Sequence, residues 1–413
     1  MVSIYSHIAS DARLALVSRD DLPPRDTTEE PQNFEIHDIR RSENAVLFFN
    51  SKYVFKLLQP YDDCRYSLKE SAKRRECLIE GLHCNRSFTD GIQLGLARFC
   101  GCDWKHDKLS SINIGEIKSD PVLEELDPNA EYVLVMQKLH QKHRLDMLLK
   151  EGNSISLQYY EQVLTQFMCH LHINSTLPVN LTDNTQVWGS VAQLEQKLRL
   201  NLTTVEKPGD DVKSKPVLHT DHYKRLLSTC KSLRQTLLPV FSQEPFSRYF
   251  LKRVDKGQIK HCHGDLKARN IWILPSSDNS NAALWDGVRV LDAIDFNPAF
   301  CNIDTLSDFA MLVTDIHART NLESLADRMV ESYLRLTNQL DQADRFILNY
   351  YLVEKAFVGS FVCILYDDQL TLGKAYLDVT ERYLAEFKQR MHATTHVRTV
   401  FTTTNNLISV VAR

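Results

Sequence analysis

The chain lacks any apolar run that approaches the roughly 18–20 residues needed to cross a bilayer, and no basic stretch followed by an apolar core opens it. We therefore expect a cytoplasmic protein with no membrane partner. Neither sign of charge dominates, because 49 lysines and arginines face 53 aspartates and glutamates, for a net charge of -4. No broad basic field is available for a polyanion, so we expect no nucleic-acid partner.

Two familiar ligand motifs are also missing. Cys100 and Cys102 are separated by one residue, and no second pair stands at zinc spacing, so the ten cysteines are expected to be reduced thiols. No Gly-x-x-x-x-Gly-Lys-Ser/Thr run occurs, which excludes a P-loop domain. The predicted hairpin loop at residues 41–44 contains no glycine, so the sequence gives no sign that its backbone cradles a phosphate.

The pattern along the chain predicts an α+β class and a bilobal, protein-kinase-like fold, with a small β-rich N-lobe and a larger helical C-lobe. Residues 1–33 read as an arm rich in proline and acidic residues. We assign 34–136 to the N-lobe and 137–394 to the C-lobe, with the ligand cleft between them. The Thr-rich residues 395–413 form a tail that could be an added strand or a frayed end.

Alternating and helical apolar patterns place the individual elements. Strands are expected at 45–49, 53–58, 92–99, 131–136, 271–274 and 288–294. Helices are expected at 68–86, 144–151, 156–174, 189–204 and 219–240, and again from 303 to about 391. Within the first helix, Lys73-Arg74-Arg75 is expected to be a solvated face. Asp304 and Asp308 are expected to cap a helix or brace the loop before it.

The run His263-Gly264-Asp265-Leu266-Lys267-Ala268-Arg269-Asn270 is the strongest chemical signal in the chain. An aspartate on a short loop can orient an acceptor hydroxyl and take its proton. Four intervening residues then let the chain turn back, so that the amide oxygen of Asn270 can serve as a hard, neutral ligand for Mg²⁺. A strand directly after Asn270 is the expected context of such a catalytic loop.

A second carboxylate follows thirty residues later, in Asp295-Phe296-Asn297. A carboxylate at the end of a strand can bind the metal that bridges the phosphates of ATP. Asp292 competes for this role, but on a strand residues 292 and 295 point to opposite faces. We favour Asp295 because it lies at the predicted end of the strand.

A cation that grips the phosphates is the third requirement of phosphoryl transfer. Lys56 lies near the end of a predicted buried strand, and a glutamate on the following helix could steady it. Glu76 and Glu80 lie one turn apart on one face of that helix. Glu80 is preferred, and Glu76 remains the alternative.

The same letters contain a rival motif. His261-Cys262-His263-Gly264-Asp265 spells H-x-H-x-D, which is typical of metallo-β-lactamase-type hydrolases. The next position of that motif should be histidine, and here it is Leu266. A metal-dependent hydrolase is therefore kept only as a remote alternative.

Taken together, these segments resemble the aminoglycoside phosphotransferase family. Cys262 to Ile271, Ile294 to Asn297 and Ile303 to Ala310 resemble the uncharacterised bacterial branch with Cys-His-Gly-Asp-Leu-His-x-Arg-Asn-Ile and Asp-x-Ile-Glu-Phe-Asn. The segment Glu80 to Arg86 is similar to that branch's helix ending in Leu-x-x-Asn-Arg. Val133 to Leu139 resembles the hinge between the lobes, which places Met136 at the nucleotide site.

The resemblance implies a kinase that uses ATP and Mg²⁺ and acts on a hydroxyl group of a small molecule. It implies Asp265 as base, His263 as support of the loop, Asn270 and Asp295 as metal ligands, and Lys56 on the phosphates. Branch members carry glutamate at the position of Asp295 and histidine at the position of Lys267. A nucleotide-binding pseudokinase or regulatory protein is the alternative, suggested by the glycine-free loop.

Overall fold

The computed structural model describes residues 31–42, 44–62, 67–89, 91–105, 108–150, 157–177, 188–209, 212, 215–275, 283–294, 297–367 and 369–411. The chain forms two compact units. The first combines the described residues up to Thr176 with His261–Ile303, and the second combines Leu177–Lys260 with the residues from Asp304 onward. The predicted boundaries at 34, 136 and 395 separate lobes rather than these units, and they stay predictions.

Seven antiparallel strands dominate the first unit. They are β1 (Gln32–Glu35), β2 (Asp38–Arg41), β3 (Ala45–Phe49), β4 (Tyr53–Leu58), β5 (Gln93–Lys105), β6 (Lys108–Ile114) and β7 (Tyr132–Gln137). Their order is β1-β6-β5-β7-β4-β3-β2. The two end strands, β1 and β2, follow one another directly in the chain, so the sheet must curl until its ends approach. Phe48, Phe55, Phe99 and Val135 fill the enclosed face.

Helix α1 (Ser71–Thr89) covers the opposite face of the sheet. Leu78 and Leu82 of this helix pack against Leu58 and Leu134. Alternation along a strand separates the two faces, because successive side chains point to opposite sides. The sequence predicted β3, β4, α1 and β7 to within three residues, but it did not identify β6.

The first unit also contains helices and strands on either side of residues 263–270 in the chain. They are α2 (Leu145–Lys150), α3 (Leu157–Asn174), β9 (Ile271–Ile273), β10 (Val288–Val290) and α7 (Pro298–Cys301). β9 and β10 form a two-stranded hairpin. The chain passes between the units in β8 (Ile259–His261) and β11 (Asn302–Asp304), which form another two-stranded sheet.

The second unit is helical. It contains α4 (Val191–Glu206), α5 (Asp221–Leu237), α6 (Phe246–Asp255), α8 (Thr305–Thr320), α9 (Glu323–Leu336), α10 (Gln342–Phe361) and α11 (Leu370–Val411). Among the described residues, one helical stretch, Gln342–Tyr366, is long and apolar enough to cross a membrane, and it is entirely buried inside the protein. Burial on all sides is the environment of a core helix.

The α+β class is therefore confirmed, while some local expectations were wrong. Lys73-Arg74-Arg75 is not a solvated face, because Arg74 is buried against Glu131 and Arg75 is buried against Ser71 and the Ala130 carbonyl. The backbone at 395–411 is not a strand, since it continues helix α11. Nine cysteines of the described part are free thiols, as expected.

The predicted role of Asp304 is confirmed. Its side chain caps α8 by accepting a hydrogen bond from the Leu306 N–H at 2.9 Å. It also forms two charged hydrogen bonds with Arg253, at 2.9 and 2.7 Å, and Asp344 binds the same guanidinium at 2.9 Å. All three charged side chains are buried. Asp304 thus fixes the start of α8 to α6 inside the second unit.

Candidate active site

The run from His263 to Asn270 turns sharply at Gly264. This residue has a φ of +83°, in the left-handed region that side-chain-bearing residues avoid. A Cβ at this position would lie 2.5 Å from the carbonyl oxygen of Phe300, which is too close for any side chain. Glycine is therefore required here for two independent reasons, and the turn separates the side chains of His263 and Asp265.

His263 is completely buried and connects two segments of the chain. Its Nε2 lies 3.0 Å from the Leu291 carbonyl oxygen, while its Nδ1 lies 3.3 Å from the backbone N–H of Asp265. A carbonyl only accepts and an N–H only donates, so the ring is neutral with its proton on Nε2. With both nitrogens engaged, His263 has none left for a metal, which argues against the H-x-H-x-D alternative.

Asp265 and Asn270 come together as predicted. The Asn270 amide nitrogen donates to the backbone oxygen of Asp265 at 3.0 Å and to its Oδ2 at 3.2 Å. Because the nitrogen faces the carboxylate, the amide oxygen of Asn270 points away from it. An outward oxygen beside a carboxylate fits the hard donors that Mg²⁺ prefers.

Lys267 is also part of this group, although the sequence did not assign it a role. Its Nζ lies 2.8 Å from Oδ1 of Asp265, and both side chains are buried. The approach does not meet hydrogen-bond geometry, since Oδ1 accepts no hydrogen bond and has no contact with solvent. The contact is therefore electrostatic, and the lysine covers one oxygen of the carboxylate.

The segment that leads to Asp295 is fixed on both sides. His263 binds it twice, through the Leu291 carbonyl and through the Ile294 N–H, which donates to the His263 carbonyl at 3.0 Å. Asn85 of α1 accepts a hydrogen bond from the Ala293 N–H at 3.0 Å. Asp295 itself lies outside the described residues, so its assignment as a metal ligand stays a prediction.

Asp292 is exposed and has a φ of +67°. The predicted strand through residue 294 is shorter than expected, because β10 ends at Val290. Asp292 and Asp295 were expected to point to opposite faces of one strand. Neither residue lies on a strand that the structure describes, so this expectation no longer distinguishes them. The choice of Asp295 now depends on the resemblance of Ile294 to Asn297.

Lys56 and Met136 lie on one face of the curled sheet. Lys56 on β4 is paired in register with Leu134 on β7, and Met136 is two residues further along the same strand. Cross-strand partners share a face, as do alternate residues on one strand. Leu134 and Met136 pack toward α1. Lys56, which is half-buried, therefore points to the α1 side of the sheet, where a helix glutamate could meet it.

The two candidate glutamates of α1 differ in their exposure to solvent. Glu76 is half-buried and accepts a hydrogen bond from Lys73 at 2.8 Å. That hydrogen bond is the first cause of a raised pKa at Lys73, and Glu80 contributes a smaller effect. Glu80 is exposed. Glu80 as the partner of Lys56, with Glu76 as the alternative, stays a prediction.

Asn85 and Lys267 are the two residues of this site that the sequence reasoning did not use. Asn85 was noted only within a resemblance, and its amide joins positions 208 residues apart. Lys267 was noted only as a departure from the branch. A signal was available for Lys267, because a lysine two residues after a catalytic aspartate is within reach of its carboxylate.

Comparisons with known proteins give structural likenesses only. No family model and no curated protein matches the chain. One similar solved structure is an aminoglycoside phosphotransferase with GDP and kanamycin, with 14% identity, a TM-score of 0.43, and 86% of this chain and 95% of that chain covered. Another is a choline/ethanolamine kinase family protein from Mesorhizobium loti, with 11% identity, a TM-score of 0.41, and coverage of 86% and 92%. A third is a streptomycin–ATP complex of an aminoglycoside phosphotransferase, with 12% identity, a TM-score of 0.40, and coverage of 85% and 93%.

Proposed function

We propose that this protein is an ATP-dependent phosphotransferase that transfers the γ-phosphoryl group to a hydroxyl of a small molecule. The observation that carries the proposal is the compact group of Asp265, Lys267 and Asn270 on a loop that His263 holds rigid. A carboxylate, a cation and an amide oxygen are the parts that phosphoryl transfer requires at the acceptor side.

Each residue has a specific task in this proposal. Asp265 orients the acceptor hydroxyl and receives its proton as the oxygen attacks. Asn270 and Asp295 would hold Mg²⁺, which would supply positive charge against the phosphates of ATP. Lys56 on β4 binds the phosphates of ATP, and Met136 on β7 contacts the adenine ring of the nucleotide.

Lys267 adds a step that follows from its position. Because Oδ1 of Asp265 has no contact with solvent, an acceptor hydroxyl reaches that oxygen only when the lysine moves aside. A phosphate group is a stronger attraction for an ammonium than one carboxylate oxygen at a poor angle. We infer that bound ATP draws Lys267 away from Asp265 and thereby uncovers the base.

A thermal-shift titration with Mg·ATP and Mg·GTP, with EDTA as the metal-free control, tests the binding half of the proposal. Metal-dependent stabilisation by ATP is expected, and its weakening in Asp295→Asn is expected to mark the metal ligand. Phosphoryl transfer from labelled ATP to a library of hydroxylated metabolites tests the chemical half. Absence of any nucleotide-dependent shift in the wild type would refute the proposal.

A nucleotide-binding regulatory protein is the second candidate. The observation in its favour is the loop at residues 41–44, which contains no glycine that would let its backbone cradle a phosphate. Metal-dependent ATP binding without transfer to any member of the library would favour this candidate over the enzyme.

A further inference from the structure

Two buried side chains near the end of α1 contact the segments that the proposed chemistry uses. Asn85 and Phe88 are three residues apart, so they are neighbours on one face of the helix. Both are almost completely buried. Asn85 binds the backbone N–H of Ala293, and the ring of Phe88 packs against the ring of His263. One helix face therefore contacts both the loop of Asp265 and the segment after β10.

The contact between Phe88 and His263 has a defined geometry. The two ring centroids lie 5.4 Å apart, and the ring planes are inclined at 74°. Aromatic rings prefer this edge-to-face arrangement, because the positive edge of one ring meets the negative face of the other. The ring of His261 lies 6.2 Å from the same phenylalanine, so Phe88 packs against two side chains of this segment.

The ring of His263 in turn fixes the backbone at Asp265. Its Nδ1 accepts a hydrogen bond from the Asp265 N–H at 3.3 Å, and its Nε2 donates to the Leu291 carbonyl at 3.0 Å. Both nitrogens bind in the plane of the imidazole, so a rotation of that plane weakens both hydrogen bonds. Phe88 therefore acts on the position of Asp265 through the imidazole.

The amide of Asn85 is engaged at both ends. Its nitrogen donates to the Gly81 carbonyl within α1 at 2.9 Å, while its oxygen accepts the hydrogen bond from the Ala293 N–H at 3.0 Å. An amide with one donor and one acceptor in use cannot turn over without losing hydrogen bonds. Ala293 is therefore attached to α1 in a single orientation.

These contacts close on themselves. Phe88 connects α1 to His263, and His263 binds the segment after β10 through two hydrogen bonds of 3.0 Å. Ala293 of that segment connects back to α1 through Asn85. Because buried side chains are close-packed, a displacement at one of these contacts is transmitted to the others.

We propose that Asn85 and Phe88, the α1 clamp, set the distance between the proposed base and the segment that leads to the proposed metal ligand Asp295. Phe88 is a positioning residue for Asp265, and Asn85 is the positioning residue for the second segment. The catalytic part of this inference rests on the proposed function. A misplacement of about 1 Å can lower the rate of an enzyme by roughly 10²-fold, so this packing bears directly on turnover.

Phe88→Leu tests the clamp, and Phe99→Leu is the matched control. Each phenylalanine is 2% exposed, but Phe99 packs inside the curled sheet. In Phe88→Leu, kcat should fall by roughly 10–100-fold while the KM for Mg·ATP stays close to that of the wild type. Phe99→Leu should lose similar thermal stability and keep its kcat. Phe88→Met, whose flexible side chain fills irregular space, serves if the leucine variant does not fold.

Amide hydrogen exchange, measured by mass spectrometry, detects the clamp without turnover. Phe88→Leu should speed exchange in peptides that contain residues 262–270 and also in those that contain 291–294, because the contacts join the two segments. Asn85→Ala should speed exchange in the same two sets of peptides. Phe99→Leu should leave both sets protected as in the wild type.

Equal effects of Phe88→Leu and Phe99→Leu on kcat and on exchange would overturn the proposal, because Phe88 would then be an ordinary core residue. Faster exchange in only one of the two segments would overturn it as well, since the segments would not be coupled. Failure of the proposed function has a different signature, in which the wild type itself transfers no phosphoryl group. The exchange measurements still confirm or overturn the clamp in that case.

Discussion

The amino group of Lys267 lies 2.8 Å from a carboxylate oxygen of Asp265, and both residues are buried. The lysine is two positions after the aspartate, and both residues follow the turn at Gly264. Asp265, the proposed base, is therefore not exposed to solvent in this structure. We expect Lys267 and Asp265 to act together. Removal of the lysine should therefore alter the rate of the reaction and not only the binding of ligands.

Lys267→Met is expected to lower kcat by roughly 10²-fold, since one preorganised cationic donor at a developing charge is worth about this much. Mg·ATP should still bind, because Lys56 and the metal hold the other phosphates. Steady-state kinetics with the acceptor found by library screening measures the effect. Lys69→Met, an exposed lysine of the same unit paired with Asp62, is the control and should leave kcat unchanged.

Asp265→Asn is expected to lower the rate of phosphoryl transfer by roughly 10²–10⁴-fold, since a general base contributes about this factor to the rate. The amide has nearly the same shape, so the protein should fold and should bind Mg·ATP with little change. Single-turnover transfer and a nucleotide thermal shift, measured on the same preparation, separate the two effects. Full activity of this variant would exclude Asp265 as the base.

Asn85→Ala is expected to impair the metal site from a distance. It leaves the Ala293 N–H without its acceptor, which costs about 1–3 kcal/mol for a buried group. The segment before Asp295 then loses one of its restraints, so the Mg²⁺ concentration for half-maximal activity should rise several-fold. Asn174→Ala is the control, because that exposed amide donates to the His170 carbonyl within its own helix. An unchanged Mg²⁺ requirement would limit Asn85 to stability.

The pKa of Lys197 predicts a pH dependence of stability. Its folded value of about 7 lies below the ordinary value of 10.5, so the unfolded chain binds more protons between these limits. Stability should therefore rise with pH from about 7 to 10, by at most about 1.4 kcal/mol per pH unit from this group. Below pH 7 its contribution should no longer change.

Urea unfolding of wild type and Lys197→Met at pH 7, 8 and 9 tests this dependence. The variant should be the more stable protein at pH 7, because it has no amine to desolvate. Its advantage should shrink as the pH rises. A constant difference between the two proteins would show that Lys197 does not titrate in this range.

Asp304→Asn is expected to destabilise the second unit by about 3–5 kcal/mol, since breaking a buried ion pair leaves the other charge without compensation. Arg253 would keep only Asp344 as a carboxylate partner. Thermal unfolding measures the loss. The matched control is Asp221→Asn, which removes an exposed partner of Lys224 and should leave the melting temperature unchanged.

The sequence predicted elements where one pattern decides the structure locally. The alternation in 45–49 and 53–58, with a short polar turn between them, determines a hairpin without help from the rest of the chain. Strand β6 has no comparable pattern, because Lys108–Ile114 includes adjacent polar residues that other strands cover. Arg74 and Arg75 look solvated in isolation, because the local pattern does not show that distant Glu131 and Ala130 supply hydrogen-bond partners for them.

The sequence predicted the residues proposed for the chemistry of the site, but not the residues that hold them in place. Asp265 and Asn270 are linked by spacing alone, so their contact could be anticipated. Asn85 meets Ala293 across 208 positions, and no local pattern encodes such a pair. The effect of Lys355 on the pKa of Lys197 is equally hidden, because each lysine alone reads as an ordinary helix residue.

The curled sheet and the returning catalytic segment have a consequence for biosynthesis. β1 pairs with β6, so Gln32 cannot form its strand pairing until Ile114 has been synthesised. Long-range pairings of this kind form slowly. Asn85 cannot accept its hydrogen bond until Ala293 has been synthesised, 208 residues later. A nascent chain that ends before residue 261 therefore carries a sheet without its catalytic loop, and α4 to α6 emerge from the ribosome before the first unit can close.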